Sequence, residues 1–189
     1  QLVKRAVRTR QRALRQDLVV PFGAATLRIP ARVTDEIVSA VRRRGGSHNA
    51  RRRQVEVLLT RRLVEANDAA IERARRTGLR GRTDDAEVDV EVDRDDVGLQ
   101  LRRTPEVRAA LDRMWPVLTP IELIHDLLGS VALIEAAGQN LLTSDECRLL
   151  HRPRSTTAGE IRWTAADLPL LDEAQVHLGT RRRGDDDTV

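Results

Sequence analysis

Aromatic side chains are almost missing from this chain: Phe22, Trp115 and Trp163 are the whole complement, and there is no tyrosine. Any core must therefore be built from Leu, Val, Ile and Ala. Such a set suits helices packed on helices better than a β-sandwich, whose strands favour aromatic and β-branched residues. The expected fold class is mostly α (α+β): a helical bundle with a long central helix and one or two small β-hairpins. With 189 residues, 40% of them hydrophobic, the chain can form one domain with a real core or two small ones.

Hydrophobic spacing places the elements. Residues 1–17 read as a basic helix with a thin apolar stripe at Leu2, Ala6, Ala13 and Leu14, either solvated or facing nucleic acid. Two β-prone runs, 18–20 and 25–29, flank Pro-Phe-Gly and predict a hairpin. Pro30 and the Thr34-Asp35-Glu36 start predict a helix that buries Ile37, Val38 and Val41 and runs to about Arg44, where Gly45-Gly46 stops it. Asn49 or Ser47 is expected to cap the central helix, 49–76, whose apolar residues Val55, Leu58, Leu59, Leu63, Ala66, Ala70 and Ile71 recur at three and four.

The stretch 78–104 changes character. Between Asp84 and Asp96 stand eight carboxylates (Asp84, Asp85, Glu87, Asp89, Glu91, Asp93, Asp95 and Asp96) against one arginine, Arg94, a net charge of −7. Val88, Val90 and Val92 alternate with acids, which predicts a strand with one wet acidic face, and Leu99 and Leu101 would supply a return strand after a turn at 94–98. From Thr104 onward the pattern is helical. Thr104-Pro105-Glu106, Thr119-Pro120-Ile121-Glu122 and Thr143-Ser144-Asp145-Glu146 are helix starts, with Gly129 and Gly138 between them. They predict helices over 105–115, 120–128, 130–137, 144–151 and 165–178, with a polar loop at 152–162.

LPLLDEAQ, residues 168–175, resembles the Asp-Glu motif that ends a nucleotide-binding strand. Such a strand lies centrally in a parallel sheet, where Asp167 would bury a charge and Pro169 would break the ladder. A helix accommodates both. Thr164 or Asp167 caps it, Pro169 falls in the first turn, and Leu171, Ala174 and Leu178 share a face away from Asp172 and Glu173. No GxxxxGK[ST] sequence occurs to cradle phosphates, so ATP hydrolysis by these residues is not expected.

Other chemistry finds little footing. His48, His125, His151 and His177 lack metal-ligand spacing and are expected to be surface or capping histidines. No catalytic, cofactor-binding or metal residues are assigned. Cys147 is alone, which excludes an internal disulfide and a cysteine zinc cage. No run approaches the roughly 18 apolar residues of a membrane span and no signal peptide is visible, so a cytoplasmic location without membrane contact is expected. Arg42, Arg43 and Arg44 with Arg51, Arg52 and Arg53 put six arginines around the Gly-Gly-Ser-His-Asn turn, a corner that either meets phosphates or acidic protein or is simply solvated. The net charge of +4 permits nucleic-acid binding, and it also follows from a coding sequence rich in arginine codons. Trp115 and Trp163 are expected to anchor the helical core rather than stack on bases.

Three strings in order, MWPVLTPIELIHDLLGS (114–130), LTSDECRLLHRPR (142–154) and WTAADLPLLDEAQVHLG (163–179), resemble the HelD-type helicase-like ATPases of actinobacteria. These are UvrD/Rep-related superfamily 1 motors that bind and recycle RNA polymerase. The likeness covers 105–179 and extends less sharply to 18–179 through VVPFG, LRIP and SHNARRR; WT-x-A-D-x-PLLDEA is its most specific part. The resemblance implies that the chain is the family-specific insertion of the first motor domain, with the phosphate loop upstream and the true Asp-Glu strand downstream. The chain begins with Gln and ends in RRRGDDDTV, and a piece of a longer protein is expected. The implied layout is a basic helix from the parent at 1–17, the insert domain at 18–162 with an acidic hairpin or loop at 78–104, and at 163–189 a helix returning to the motor followed by a tail. ATP and Mg²⁺ would belong to the parent, and no cofactor to this part. The implied partners are RNA polymerase core and the rest of the motor, with the insertion helping to open the clamp and displace nucleic acid from the main channel. The eight acids would then mimic a nucleic-acid backbone or approach the catalytic Mg²⁺. The bland alternative is an edge strand or loop whose charges prevent aggregation. A DNA-binding accessory subdomain of a UvrD/Rep-like helicase is the competing assignment.

Overall fold

The computed structural model describes residues 1–78, 93–155 and 160–180. Among them are nine α-helices and one two-stranded antiparallel hairpin, a mostly α fold. The elements in chain order are α1 (Leu2–Thr9), β1 (Leu18–Phe22), β2 (Ala25–Ile29), α2 (Ala31–Arg42), α3 (His48–Arg76), α4 (Arg94–Arg103), α5 (Pro105–Met114), α6 (Pro120–Leu128), α7 (Val131–Gly138), α8 (Ser144–Leu150) and α9 (Leu168–Leu178). A 3₁₀ turn, Ala165–Asp167, leads into α9. The chain forms two compact units, each assembled from segments distant in sequence. Of the described residues, the first comprises 1–12, 44–53, 115–155 and 160–180, and the second 13–43, 54–78 and 93–114.

The first unit closes around an aliphatic core. Val3, Ala6 and Val7 of α1 join Leu123, Ile124, Leu127 and Leu128 of α6, Ile134 and Ala137 of α7, Cys147 of α8, and Ala174 and Leu178 of α9. Helix α1 packs against α7, α9 and α6. It is shorter than the expected 1–17, and its buried stripe is Val3-Ala6-Val7, at i, i+3 and i+4, instead of one through Leu2, Ala13 and Leu14. The arginines around it had suggested a wet or nucleic-acid-facing helix. Three small apolar residues on one side suffice to bury it. Helices α6 and α8 open with full capping boxes, Thr119 with Glu122 and Thr143 with Glu146, each satisfying backbone donors at both ends of the box. Those hydrogen bonds from Thr143 hold the Glu146 carboxyl below its ordinary range.

The second unit holds the hairpin. Leu18 pairs with Ile29 and Val20 with Leu27, so all four buried side chains lie on one face. The loop is the two residues Gly23-Ala24, with φ +57° at Gly23, the pattern of a II′ turn. Phe22 and Pro21 are thus strand residues where the sequence suggested a turn. In α3 the buried positions of this unit are Val55, Leu59, Thr60, Leu63 and Asn67, while Ile71 is largely exposed. Helix α2 starts at Ala31, directly after Pro30 at its N-cap position. The Thr34 hydroxyl is buried inside the first turn, donating to the Ala31 carbonyl and accepting from the Leu14 amide.

The return strand expected at Leu99 and Leu101 is absent. Residues 94–103 are helix α4, and the expected turn at 94–98 is its first turn. Asp93 caps it by accepting the Asp95 amide at 2.9 Å, Asp95 and Asp96 sit where the helix dipole favours anions, and Arg102 and Arg103 sit at the other end. Val97 and Leu101, four apart, are buried, and Leu99 faces solvent. The strand reading of Val88–Val92 lies outside the described residues. Among the described residues, no helix is long and apolar enough to cross a membrane.

Candidate functional site

The acidic pair that raised the question of catalysis lies on α9. Pro169 occupies its first turn, Ala174 and Leu178 are fully buried, and Leu171 is half-buried beside them. Asp172 is exposed, and Glu173 stands 3.6 Å from the His177 imidazole one turn on. The pair therefore decorates the outside of an amphipathic helix. Leu168 and Val176 are exposed on the same helix, at 56% and 75%.

The charge that is buried is Asp167. Its carboxylate takes two hydrogen bonds from the Arg152 guanidinium, at 3.0 and 2.5 Å, and two more at 2.8 Å from the Thr164 amide and hydroxyl. Arg152 above all, with Thr164, holds its pKa far below the usual carboxylate range, against the opposing effect of burial. A planar, two-pronged arginine contact, with both carboxylate oxygens engaged, makes this a fixed joint between the 152–155 strip and the start of α9. The sequence placed Thr164 or Asp167 as the cap: Thr164 is the N-cap of the 3₁₀ turn that leads into α9, and Asp167 completes its capping box while also anchoring Arg152.

A second knot ties the beginning of α3 to the segment after α5. His48 is fully buried, correcting the expectation of a surface or capping histidine. Its ring stacks on Trp115 with centroids 5.2 Å apart, and the Trp115 indole N–H donates to the His48 carbonyl at 2.8 Å. Nε2 lies 2.7 Å from the Pro116 carbonyl, which can only accept, so Nε2 carries the proton and Nδ1 accepts from the Gln11 amide at 3.1 Å. Burial, with smaller contributions from Arg51 and Arg52, lowers the His48 pKa to about 4 despite the Pro116 hydrogen bond. Asn49 does not cap α3. It reaches across to Leu118, donating to its carbonyl at 2.9 Å and accepting its amide at 3.2 Å, and donates to the Gly179 carbonyl.

The six arginines of the proposed corner divide. Arg42 and Arg43 end α2 in the second unit, and Arg44, Arg51, Arg52 and Arg53 belong to the first. Arg51 lies 5.5 Å from the Trp115 ring centroid and donates to the Ser47 and Arg44 carbonyls, and Arg52 donates to the Trp115 carbonyl. Both are occupied in holding the knot. Arg43, Arg44 and Arg53 are exposed. Of the eight acids, Asp93, Asp95 and Asp96 stand exposed at the start of α4, beside Arg94, which pairs with Asp68 at 2.9 Å. Asp84, Asp85, Glu87, Asp89 and Glu91 lie outside the described residues.

Folding also gathers a Ser, a His and an Asp that the sequence did not single out. The Ser155 hydroxyl is 3.1 Å from His125 Nε2, but His125 Nδ1 is 3.9 Å from the nearer Asp126 oxygen. That is too long to orient the ring, and Asp126 instead accepts from Arg154 at 2.8 Å and Arg10 at 3.1 Å. The cluster reads as an ion-paired clasp and not as an activated hydroxyl. Among the described residues, no three or more His, Cys, Asp or Glu side chains converge as metal ligands would.

No protein-family model matches the chain, and no curated protein matches it significantly in sequence.

Proposed function

We propose that this chain is a non-catalytic interaction domain of a HelD-type helicase-like ATPase, one that grips RNA polymerase core and helps open its clamp. The observation that carries the reading is the placement of Asp172 and Glu173 on the outer side of a capped helix. Within the motif order that resembles the family, this supports WTAADLPLLDEA as a structural marker beside the motor. Catalytic Asp and Glu would need a strand end and a phosphate loop. Exposed Leu168 and Val176 add apolar anchors to that helix, as a protein-binding surface requires. The acids from Asp84 to Asp96 would enter a basic channel, and ATP and Mg²⁺ would act elsewhere in the parent.

Incubating the chain with immobilised RNA polymerase core tests this directly. Retention at micromolar concentration, weakened by Leu168→Asp with Val176→Asp, is the expected result. No retention would overturn the reading. If DNA is bound instead, steeply dependent on salt and reduced by Arg43→Glu with Arg53→Glu, the accessory DNA-binding assignment takes its place.

A further inference from the structure

The second unit contains an open cavity of about 360 Å³ between the hairpin tip, α3 and α4. Its walls are mainly apolar: Phe22 and Ala25 from the hairpin, Ala70 and Ile71 from α3, Val97 from α4. This volume is within the range of small-ligand sites, roughly 300–1,000 Å³. One polar side chain in it is anomalous. Asn67 is only 7% exposed, lines the cavity, and makes no side-chain hydrogen bond among the described residues. It stands at i+4 from Leu63 on the buried stripe of α3, where an apolar residue would continue the period. Leu or Met at that position would continue the apolar stripe with no polar group to satisfy.

We propose that this cavity is a binding site for an apolar group bearing an amide. The carboxamide of Asn67 offers one acceptor and two donors, and an amide is the complementary group that presents both functions in one plane. The aliphatic wall of Ala70, Ile71 and Val97 and the ring of Phe22 take the apolar part, and the exposed Asp96 and Gln100 stand at the rim for a second N–H. Two sources supply this chemistry: a leucine-like side chain of a polypeptide with its own peptide group, or a free small amide.

The test is a titration of the full chain, followed by NMR of the Asn67 side-chain amide and the Ala70 and Val97 methyls. The probes are N-acetyl-leucinamide for the peptide source and benzamide for the free amide. Saturable shifts at these groups in roughly the millimolar range are expected for ligands so small; the tighter probe identifies the source. N-acetylglycinamide, which lacks the apolar group, should bind at least tenfold more weakly. Asn67→Leu should leave the thermal midpoint unchanged or raised while weakening the better probe tenfold, and Ala70→Leu, which fills the apolar half, should do the same. Absence of saturable shifts with both probes overturns the proposal. So does unchanged affinity in Asn67→Leu together with a lowered midpoint, which would make Asn67 a purely structural residue.

Discussion

Gly179 shows how far a single residue can be constrained. Its φ of +72° and ψ of −179° fall in a region closed to other residues, and a Cβ there would come within 2.2 Å of the Ser47 hydroxyl. Gly179→Ala is expected to destabilise the chain by about 1–3 kcal/mol or more, read as a drop in the urea midpoint. Thr60 gives the opposite case. Its hydroxyl is buried without a partner. Thr60→Val keeps the shape and removes the unpaired group, so a gain of about 1 kcal/mol is expected in the same measurement. Neither effect is readable from sequence. A glycine after a helix suggests a stop, and the backbone angles and Ser47 make it irreplaceable. A threonine in an apolar stripe shows nothing about whether its hydroxyl finds an acceptor.

At the scale of elements, the helix starts were the most legible feature. Thr-Pro and Thr-x-x-Glu spacing located α5, α6 and α8 to within a residue or two, because capping is local chemistry and needs no distant partner. The hairpin followed from two β-prone runs on either side of a turn, for the same reason. Where tertiary contacts compete, local signals misled. The helix opens after Pro30 as expected, but Thr34, read as part of its start, lies inside the first turn and serves the Leu14 amide. Asn49 looked like a cap and became a bridge to Leu118 and Gly179. Asn49→Ala should therefore cost more than a lost cap: roughly 2–4 kcal/mol, since the Leu118 amide and carbonyl would both be left buried and unpaired. Loss of the amide-exchange protection of Leu118 would accompany it. The return strand through Leu99 and Leu101 was misread because spacing by two does not show that Asp93 caps a helix, in which Leu101 is buried and Leu99 exposed.

For the whole molecule, two buried ionisable groups set the response to acid in separate windows. His48 titrates near 4 when folded and near 6.5 when unfolded, so between those values the unfolded chain binds the extra proton. Its contribution is complete above pH 6.5 and is lost as pH falls through the folded pKa, a change of about 3 kcal/mol. Asp167 works lower. Its folded pKa is depressed, so its contribution is present above the ordinary carboxylate value, about 4, and is lost below it as the Arg152 pairing is protonated away. Urea midpoints measured from pH 7.5 to 3 should fall in two stages. His48→Gln should flatten the first and Asp167→Asn the second. A single decline unaffected by His48→Gln would show that the Trp115 knot does not hold the histidine neutral.

The sequence by itself determined the class of core, the helix starts from Thr104 onward and the helical state of LPLLDEAQ. Each follows from properties carried within a few residues: side-chain type, capping spacing, and the cost of Asp167 and Pro169 inside a sheet. Only the tertiary structure decided which polar residues are buried and what they hold. His48 against Trp115 and Asp167 against Arg152 join residues 67 and 15 positions apart, and Asn67 lines a cavity built from three separate elements. Burial is a property of the assembled units, and a local pattern of residues does not contain it.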